Sequence, residues 1–159
     1  MYTDSIYFMK NTYALITGAS SGIGLEIANN LANSGYNLVL TARREDRLAS
    51  ISKEISEKFK VKVDFISCDL SDINTPRQIF NFCNDKDYKV EVLINNAGYG
   101  IKAPFHETPM EDEEDFIRVL GTSVIALTKI FLPSMMESQN GKIMIVSSVA
   151  SFSPPSTIQ

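Results

Sequence analysis

Short apolar runs alternate along the chain with segments whose apolar residues recur every three or four positions. The first run covers 12–17. Over 22–34 Ile23, Ile27, Ala28 and Leu31 then fall on one helical face, with Gly35 where a helix C-cap is expected. A second strand is predicted over 37–42, followed by a helix carrying Leu48, Ile51, Ile55 and Phe59. A third strand over 61–66 precedes a helix near 75–82, and a fourth strand covers 90–94. From about 111 to 138 a long helical pattern has Phe116, Val119, Leu120, Leu127, Ile130 and Phe131 as its apolar positions, with a kink expected at Pro133. Asn140-Gly141 reads as a turn into a fifth strand over 142–147.

This alternation predicts an α/β fold: a doubly wound, Rossmann-type parallel sheet with helices on both faces. Right-handed crossovers give the strand order 3-2-1-4-5. Ligands bind such sheets beyond the C-terminal strand ends. The chemically distinctive residues fall at those ends: the glycine-rich turn 17–24, Arg43-Arg44, Asp69, Asn95-Asn96-Ala97-Gly98 and Ser147-Ser148.

Composition narrows the class. Hydrophobic content of 44% and charged content of 21% describe an ordinary globular domain, and 159 residues can bury one core. We read 1–9 as a short N-terminal extension and 10–159 as one nucleotide-binding domain, truncated at its C-terminus. A net charge of −4 argues against nucleic-acid binding. No apolar run reaches a membrane span and the start lacks a signal-peptide pattern, so the expected location is the cytoplasm without a membrane partner. Cys68 and Cys83 have no metal-like spacing, so no metal is expected and both read as reduced structural thiols.

The glycines of Thr17-Gly18-Ala19-Ser20-Ser21-Gly22-Ile23-Gly24 are spaced Gly-x-x-x-Gly-x-Gly, after a strand and at a helix start. Amides at a helix N-terminus attract an anion, and glycine admits close approach of a phosphate or a neighbouring strand. Together with Asn95-Asn96-Ala97-Gly98 and Val146-Ser147-Ser148, this spacing closely resembles the short-chain dehydrogenase/reductase family, from about Lys10 to the last residue. The resemblance implies an NAD(P)(H) site and hydride transfer between nicotinamide and a small carbonyl or alcohol substrate. Gly18, Gly22 and Gly24 would line the pyrophosphate, with the hydroxyls of Ser20 and Ser21 nearby and Ile23 beside the nicotinamide. Asp69 resembles the family's adenine-contacting aspartate, with Leu70 beside it, while Asn95, Ala97 and Gly98 would wall the cofactor. A homo-oligomer is the expected full-length form.

The cofactor choice follows from charge. An acidic residue after the second strand would accept hydrogen bonds from a ribose diol and repel a 2′-phosphate, but Arg43-Arg44 stands there. NADP(H) is therefore preferred over NAD(H), with Arg43 as the 2′-phosphate ligand.

The family's catalytic serine matches Ser148, with Ser147 the weaker choice, and the position of its helix asparagine falls on Leu120. No tyrosine among residues 1–159 has a lysine four positions later, so the family's Tyr-x-x-x-Lys is expected after Gln159. Tyr99 is near the site without that lysine, and His106 reads as an exposed loop residue. The run Glu111 to Asp115 reads as a solvated helix start. The expected behaviour of this chain alone is cofactor binding without turnover and, with apolar surface left open near the fourth and fifth strands, low solubility. The competing reading is a non-catalytic nucleotide-binding module or a truncated gene product.

Overall fold

A computed structural model describes residues 11–148; the expected extension 1–9 and the segment 149–159 lie outside the described residues. Five strands form one parallel sheet in the order β3-β2-β1-β4-β5. They are β1 (Thr12–Thr17), β2 (Asn37–Ala42), β3 (Val63–Ser67), β4 (Lys89–Asn95) and β5 (Lys142–Ile145). The connecting helices are α1 (Gly22–Asn33), α2 (Glu45–Phe59), α3 (Thr75–Asp85), α4 (Met110–Ile117) and α5 (Ser123–Ser138).

Each central strand is covered on both faces, which is why it reads as a continuous apolar run. Tyr13, Leu15, Val39, Val90 and Leu93 face α3 and α5 through Ile79, Leu127 and Phe131. Ala14, Ile16, Leu38, Leu40, Val92 and Ile94 face α1 and α2 through Ala28, Leu48 and Ile51. Val90 and Leu93 share a face although three positions apart. The β1–β4 register steps from Tyr13↔Val90 to Ala14↔Val92, so Glu91 is the extra residue of a bulge.

Helix α1 differs from its predicted face. Gly24, Ala28 and Ala32 are its buried line, Ile27 and Leu31 flank it, and Ile23 is exposed. Small residues every four positions let α1 approach the sheet more closely than a ridge of isoleucines would. Gly35 closes α1 as expected, in a Schellman turn with Gly35 N donating to Ala32 O (3.0 Å) and Tyr36 N to Leu31 O (3.1 Å).

The long helix is interrupted by a π turn, Arg118–Thr122, rather than at Pro133, which lies inside α5. Ser123 Oγ donates to the Val119 carbonyl (2.8 Å) within this wider turn. By length and composition the helical stretch Met110–Ser138 would suffice to cross a membrane, since an 18-residue window within it has a mean hydropathy of 1.6. Here part of that apolarity is the core face Leu127, Phe131 and Met135. Ile125 and Met136 of α5 and Met144 and Ile145 of β5 are exposed, whereas Val92, Leu93 and Ile94 of β4 are buried.

A polar cluster ties the sheet together at its far end. The Tyr13 and Tyr88 rings stack at 3.9 Å, and Tyr88 Oη donates to Asp64 Oδ2 (3.0 Å). Lys86 Nζ reaches the same oxygen (3.0 Å), and the Phe65 amide donates to Asp64 Oδ1 (2.9 Å). Burial works to raise the Asp64 pKa, but the Lys86 ammonium, the Phe65 amide and the Tyr88 hydroxyl outweigh it and hold the carboxyl below its usual range. A carboxylate with a depressed folded-state pKa stabilises the fold above its unfolded value, and loses that contribution as pH falls through the folded value. Asp64→Asn is therefore expected to lower the urea midpoint at pH 7, with the gap to wild type closing below about pH 4. A gap that stays constant down to pH 3 would remove this ion pair from the account.

Candidate functional site

The C-terminal ends of β1 to β4 open onto a cleft of about 270 Å3. Gly18, Ser20, Ser21, Arg43, Asp69, Leu70, Ala97 and Gly98, all predicted site positions, line it together with Thr41, Ala42, Arg44, Cys68, Tyr99 and Val119. A larger hollow of about 450 Å3 lies at the N-terminal end of β4, lined by Tyr88, Lys89, Glu91, Phe131 and Glu137 among others. We place the site at the smaller cleft, because the sheet topology and the glycine turn both converge there.

Other predicted positions shape the cleft without lining it. Gly18 is left-handed (φ +66°), and a Cβ on it would lie 2.8 Å from Ala97 Cα. A Cβ on Gly24 would lie 2.5 Å from Gly18 O. Those two glycines therefore let α1, the turn and the end of β4 touch. Gly22, also left-handed (φ +57°), has nothing within 4 Å of its Cβ position. Ile23 projects outward, 62% exposed. Asn95 is buried, its carbonyl accepting from Val146 N (2.9 Å) and its side-chain amide unpaired among the described residues. Ser147 and Ser148 follow β5 and are exposed.

Thr17 and Asn96 hold the turn to the end of β4. Thr17 Oγ1 donates to Ile94 O (3.4 Å) and accepts from the backbone amides of Asn96 and Ala97, both at 3.0 Å. Asn96 Nδ2 donates to the carbonyls of Thr17 (3.0 Å) and Gly18 (3.3 Å). Sequence reasoning counted Thr17 as the last residue of a strand and gave Asn96 no role of its own, because their partners lie 77 to 80 positions away.

The arginines part company. Arg43 is 72% exposed, with Nη1 3.9 Å from Asp69 Oδ2. Arg44 turns back to the glycine turn, donating from Nη2 to Ser20 Oγ (3.1 Å) and Ser21 Oγ (3.4 Å), while Arg47 Nε donates to the Ser20 carbonyl (3.3 Å). The sequence names Arg44 only as the neighbour of Arg43 and gives Arg47 no role, since adjacent arginines look alike until the start of α2 fixes their directions.

Tyr99 lines the cleft and packs edge-on against Phe116, with ring centroids 5.5 Å apart. Burial, then the carboxylates of Asp115 and Asp112, push its phenol pKa up, the opposite of what an activated proton donor needs. Burial also raises the Cys68 thiol against the lowering effect of its Thr41 partner, Sγ–Oγ1 2.7 Å. Both cysteines are free thiols, and burial pushes Cys83 up to about 12. Leu120, at the asparagine position, sits in the π turn with Cδ2 2.9 Å from where a Gly98 Cβ would be. His106 is exposed beside Glu107 in a short turn, and Glu111, Asp112 and Glu113 occupy the first turn of α4, where negative charge suits the helix dipole.

Comparison with known proteins agrees with this arrangement. The chain is 35% identical over 154 residues to a very-long-chain 3-oxoacyl-CoA reductase from Phaeosphaeria nodorum, covering 91% of this chain and 44% of that protein's length. Its fold superposes on L-sorbose reductase from Gluconobacter frateurii, complexed with NADPH and L-sorbose, with a TM-score of 0.88 at 29% identity, covering 94% of this chain and 57% of that one. A short-chain dehydrogenase from Sphingobium yanoikuyae in complex with NADPH gives a TM-score of 0.85 at 31% identity, covering 92% and 57% of the two chains. The model for the short chain dehydrogenase family matches residues 12–158. With the glycine spacing, the Asn95–Gly98 segment and the 3-2-1-4-5 sheet in their places, the chain belongs to the short-chain dehydrogenase/reductase family.

Proposed function

We propose that the protein is an NADP(H)-dependent oxidoreductase that interconverts a carbonyl and an alcohol. The observation that carries this reading is the cleft itself, where a glycine turn faces Arg43 and Arg44 and no carboxylate ends β2. The NADPH complexes among the structural relatives support it. The residues fit a dinucleotide: contacts forbid a Cβ at Gly18 and Gly24, yet leave open space above Gly22 at the start of α1. Gly18, Gly22, Gly24, Ser20 and Ser21 would hold the phosphates, Asp69 and Leu70 the adenine side, and Asn95, Ala97 and Gly98 the wall beneath the nicotinamide. Ile23 would stand beside that ring.

When bound, the nicotinamide supplies or accepts the hydride. Ser148 would hold the substrate oxygen through its hydroxyl. Leu120 brings an apolar side chain onto Gly98 where the family carries an amide, so any proton relay through that position must use another group. The Tyr-x-x-x-Lys pair that would protonate the substrate oxygen is not among residues 1–159. Residues 1–159 thus carry the cofactor site and, at Ser148, one contact to the substrate oxygen.

Calorimetric titration with NADPH and NADH tests the reading, alongside an assay of NADPH oxidation. The expected result is tighter NADPH binding with no turnover by the 159-residue chain. Equal or tighter NADH binding would overturn the cofactor assignment, and turnover by these residues alone would reveal a proton donor other than the expected pair.

A further inference from the structure

Asn140 is the only asparagine in the sequence followed by glycine. A Cβ on the following residue crowds the approach of that residue's nitrogen to the asparagine Cγ, and glycine has none. Asn140 and Gly141 lie in the turn between α5 and β5, after Gln139, which ends the helix in the left-handed region (φ 57°). Both are exposed. Neither the Asn140 side chain nor Gly141 N makes a hydrogen bond among the described residues. Lys142 Nζ stands 3.5 Å from the Asn140 carbonyl oxygen. That oxygen belongs to the peptide unit whose nitrogen is Gly141 N, so the ammonium favours loss of the N–H proton.

At several other asparagines the corresponding atoms are committed. The Ser34 amide that follows Asn33 donates to Asn30 O and Leu31 O, both at 3.1 Å. Asn37 Oδ1 accepts from Lys62 N at 3.0 Å. Asn29 and Asn30 donate from Nδ2 to carbonyls one helical turn back, and Asn96 donates to Thr17 and Gly18. Each such bond must break before the side chain can swing onto the main-chain nitrogen.

We propose that Asn140 is a site of spontaneous deamidation and isoaspartate formation, with Gly141 N as the nucleophile. Gly141 N bonds to Asn140 Cγ as the Cγ–Nδ2 bond breaks, and Nδ2 leaves as ammonia with the Gly141 proton. Water then opens the cyclic imide. Cleavage at Cγ gives aspartate on an unchanged main chain. Cleavage at the former peptide carbon gives isoaspartate, whose main chain runs through Cβ and Cγ. Water is consumed, ammonia is released, nothing is oxidised or reduced, and the turn gains a carboxylate. The isoaspartyl form also lengthens the turn by a carbon, and the inner side has no room for it. A Cβ built on Gly141 would lie 2.4 Å from Met135 Cβ, and Met135 is part of the buried core. The longer turn therefore presses on Met135 or moves outward, at the entry to the strand that leads to Ser147 and Ser148.

The test is incubation of the purified chain in mildly alkaline buffer, followed by peptide mass mapping and enzymatic methyl labelling of isoaspartate. Conversion at Asn140 is expected to be roughly tenfold or more faster than at Asn33 or Asn37. It should slow as the pH is lowered, because Gly141 N attacks after losing its proton. Asn140→Gln should suppress the labelling, since its longer side chain must close a larger ring. If Asn140 converts no faster than Asn33 and Asn37, or if labelling persists in Asn140→Gln, the proposal is overturned. The isoaspartyl form, separated by anion exchange, is expected to unfold at lower urea than Asn140→Asp, which adds the charge without the extra carbon. Equal midpoints would overturn the packing consequence at Met135.

Discussion

Gly18→Ala is expected to destabilise the protein by roughly 2–5 kcal/mol and to abolish NADPH binding at concentrations that saturate wild type. Two separate penalties meet at this residue. The left-handed backbone (φ +66°) costs an alanine about 1–2 kcal/mol. The new Cβ would also lie 2.8 Å from Ala97 Cα and 3.0 Å from Asn96 Nδ2, and overpacking of this kind costs about 1–3 kcal/mol. The nearest obstacle is backbone, so it cannot rotate away as a flexible side chain would. Gly22→Ala is the internal control. It has a similar φ of +57° but nothing within 4 Å of the added methyl, so only the backbone penalty of about 1–2 kcal/mol applies. Urea unfolding of the two variants at one pH measures the difference. Equal losses would mean that contact with the end of β4 contributes nothing, and that glycine is needed at both positions for backbone conformation alone.

That contrast marks how far the sequence could be read. The strands were legible because a parallel strand buried on both faces is apolar throughout, as β1 and β2 are. Their order followed from the handedness of crossovers, and the glycine spacing located the cleft. What stayed hidden depends on contacts between distant positions. The bulge at Glu91 cannot be told from an ordinary strand residue in Val90-Glu-Val-Leu-Ile94, yet it decides which face Val90 joins. The buried line of α1 runs through Gly24, Ala28 and Ala32, because close approach to the sheet rewards small side chains and a count of apolar ones does not see that. In the sequence the wide turn at Arg118–Thr122 reads as plain helix, since its cause is a hydrogen-bonding shift that no periodicity records. Arg43 and Arg44 are neighbours of one type, and only the direction the chain takes into α2 sends the second to Ser20.

Thr17→Val is the second large effect, and it falls on a residue whose role only the assembled site discloses. The two side chains are nearly isosteric, so packing in this fully buried position is kept and the change removes one hydroxyl. That hydroxyl accepts from the amides of Asn96 and Ala97, each at 3.0 Å, where the chain leaves β4 to form the cleft wall. Valine leaves both amides without their acceptor in a half-buried setting, and a loss of about 2–4 kcal/mol is expected. Asn96 Nδ2 still donates to the carbonyls of Thr17 and Gly18, so the wall would be held on one side only, and NADPH affinity should fall with stability. Thr17→Ser separates hydroxyl from methyl. It keeps the acceptor and deletes one buried carbon, for an expected loss of about 1 kcal/mol. Chemical denaturation and NADPH titration of both variants read out the result. If serine is as damaging as valine, the methyl and not the hydroxyl holds this site. If valine matches wild type, the amides of Asn96 and Ala97 are satisfied by water and the tie between the glycine turn and β4 rests on Asn96.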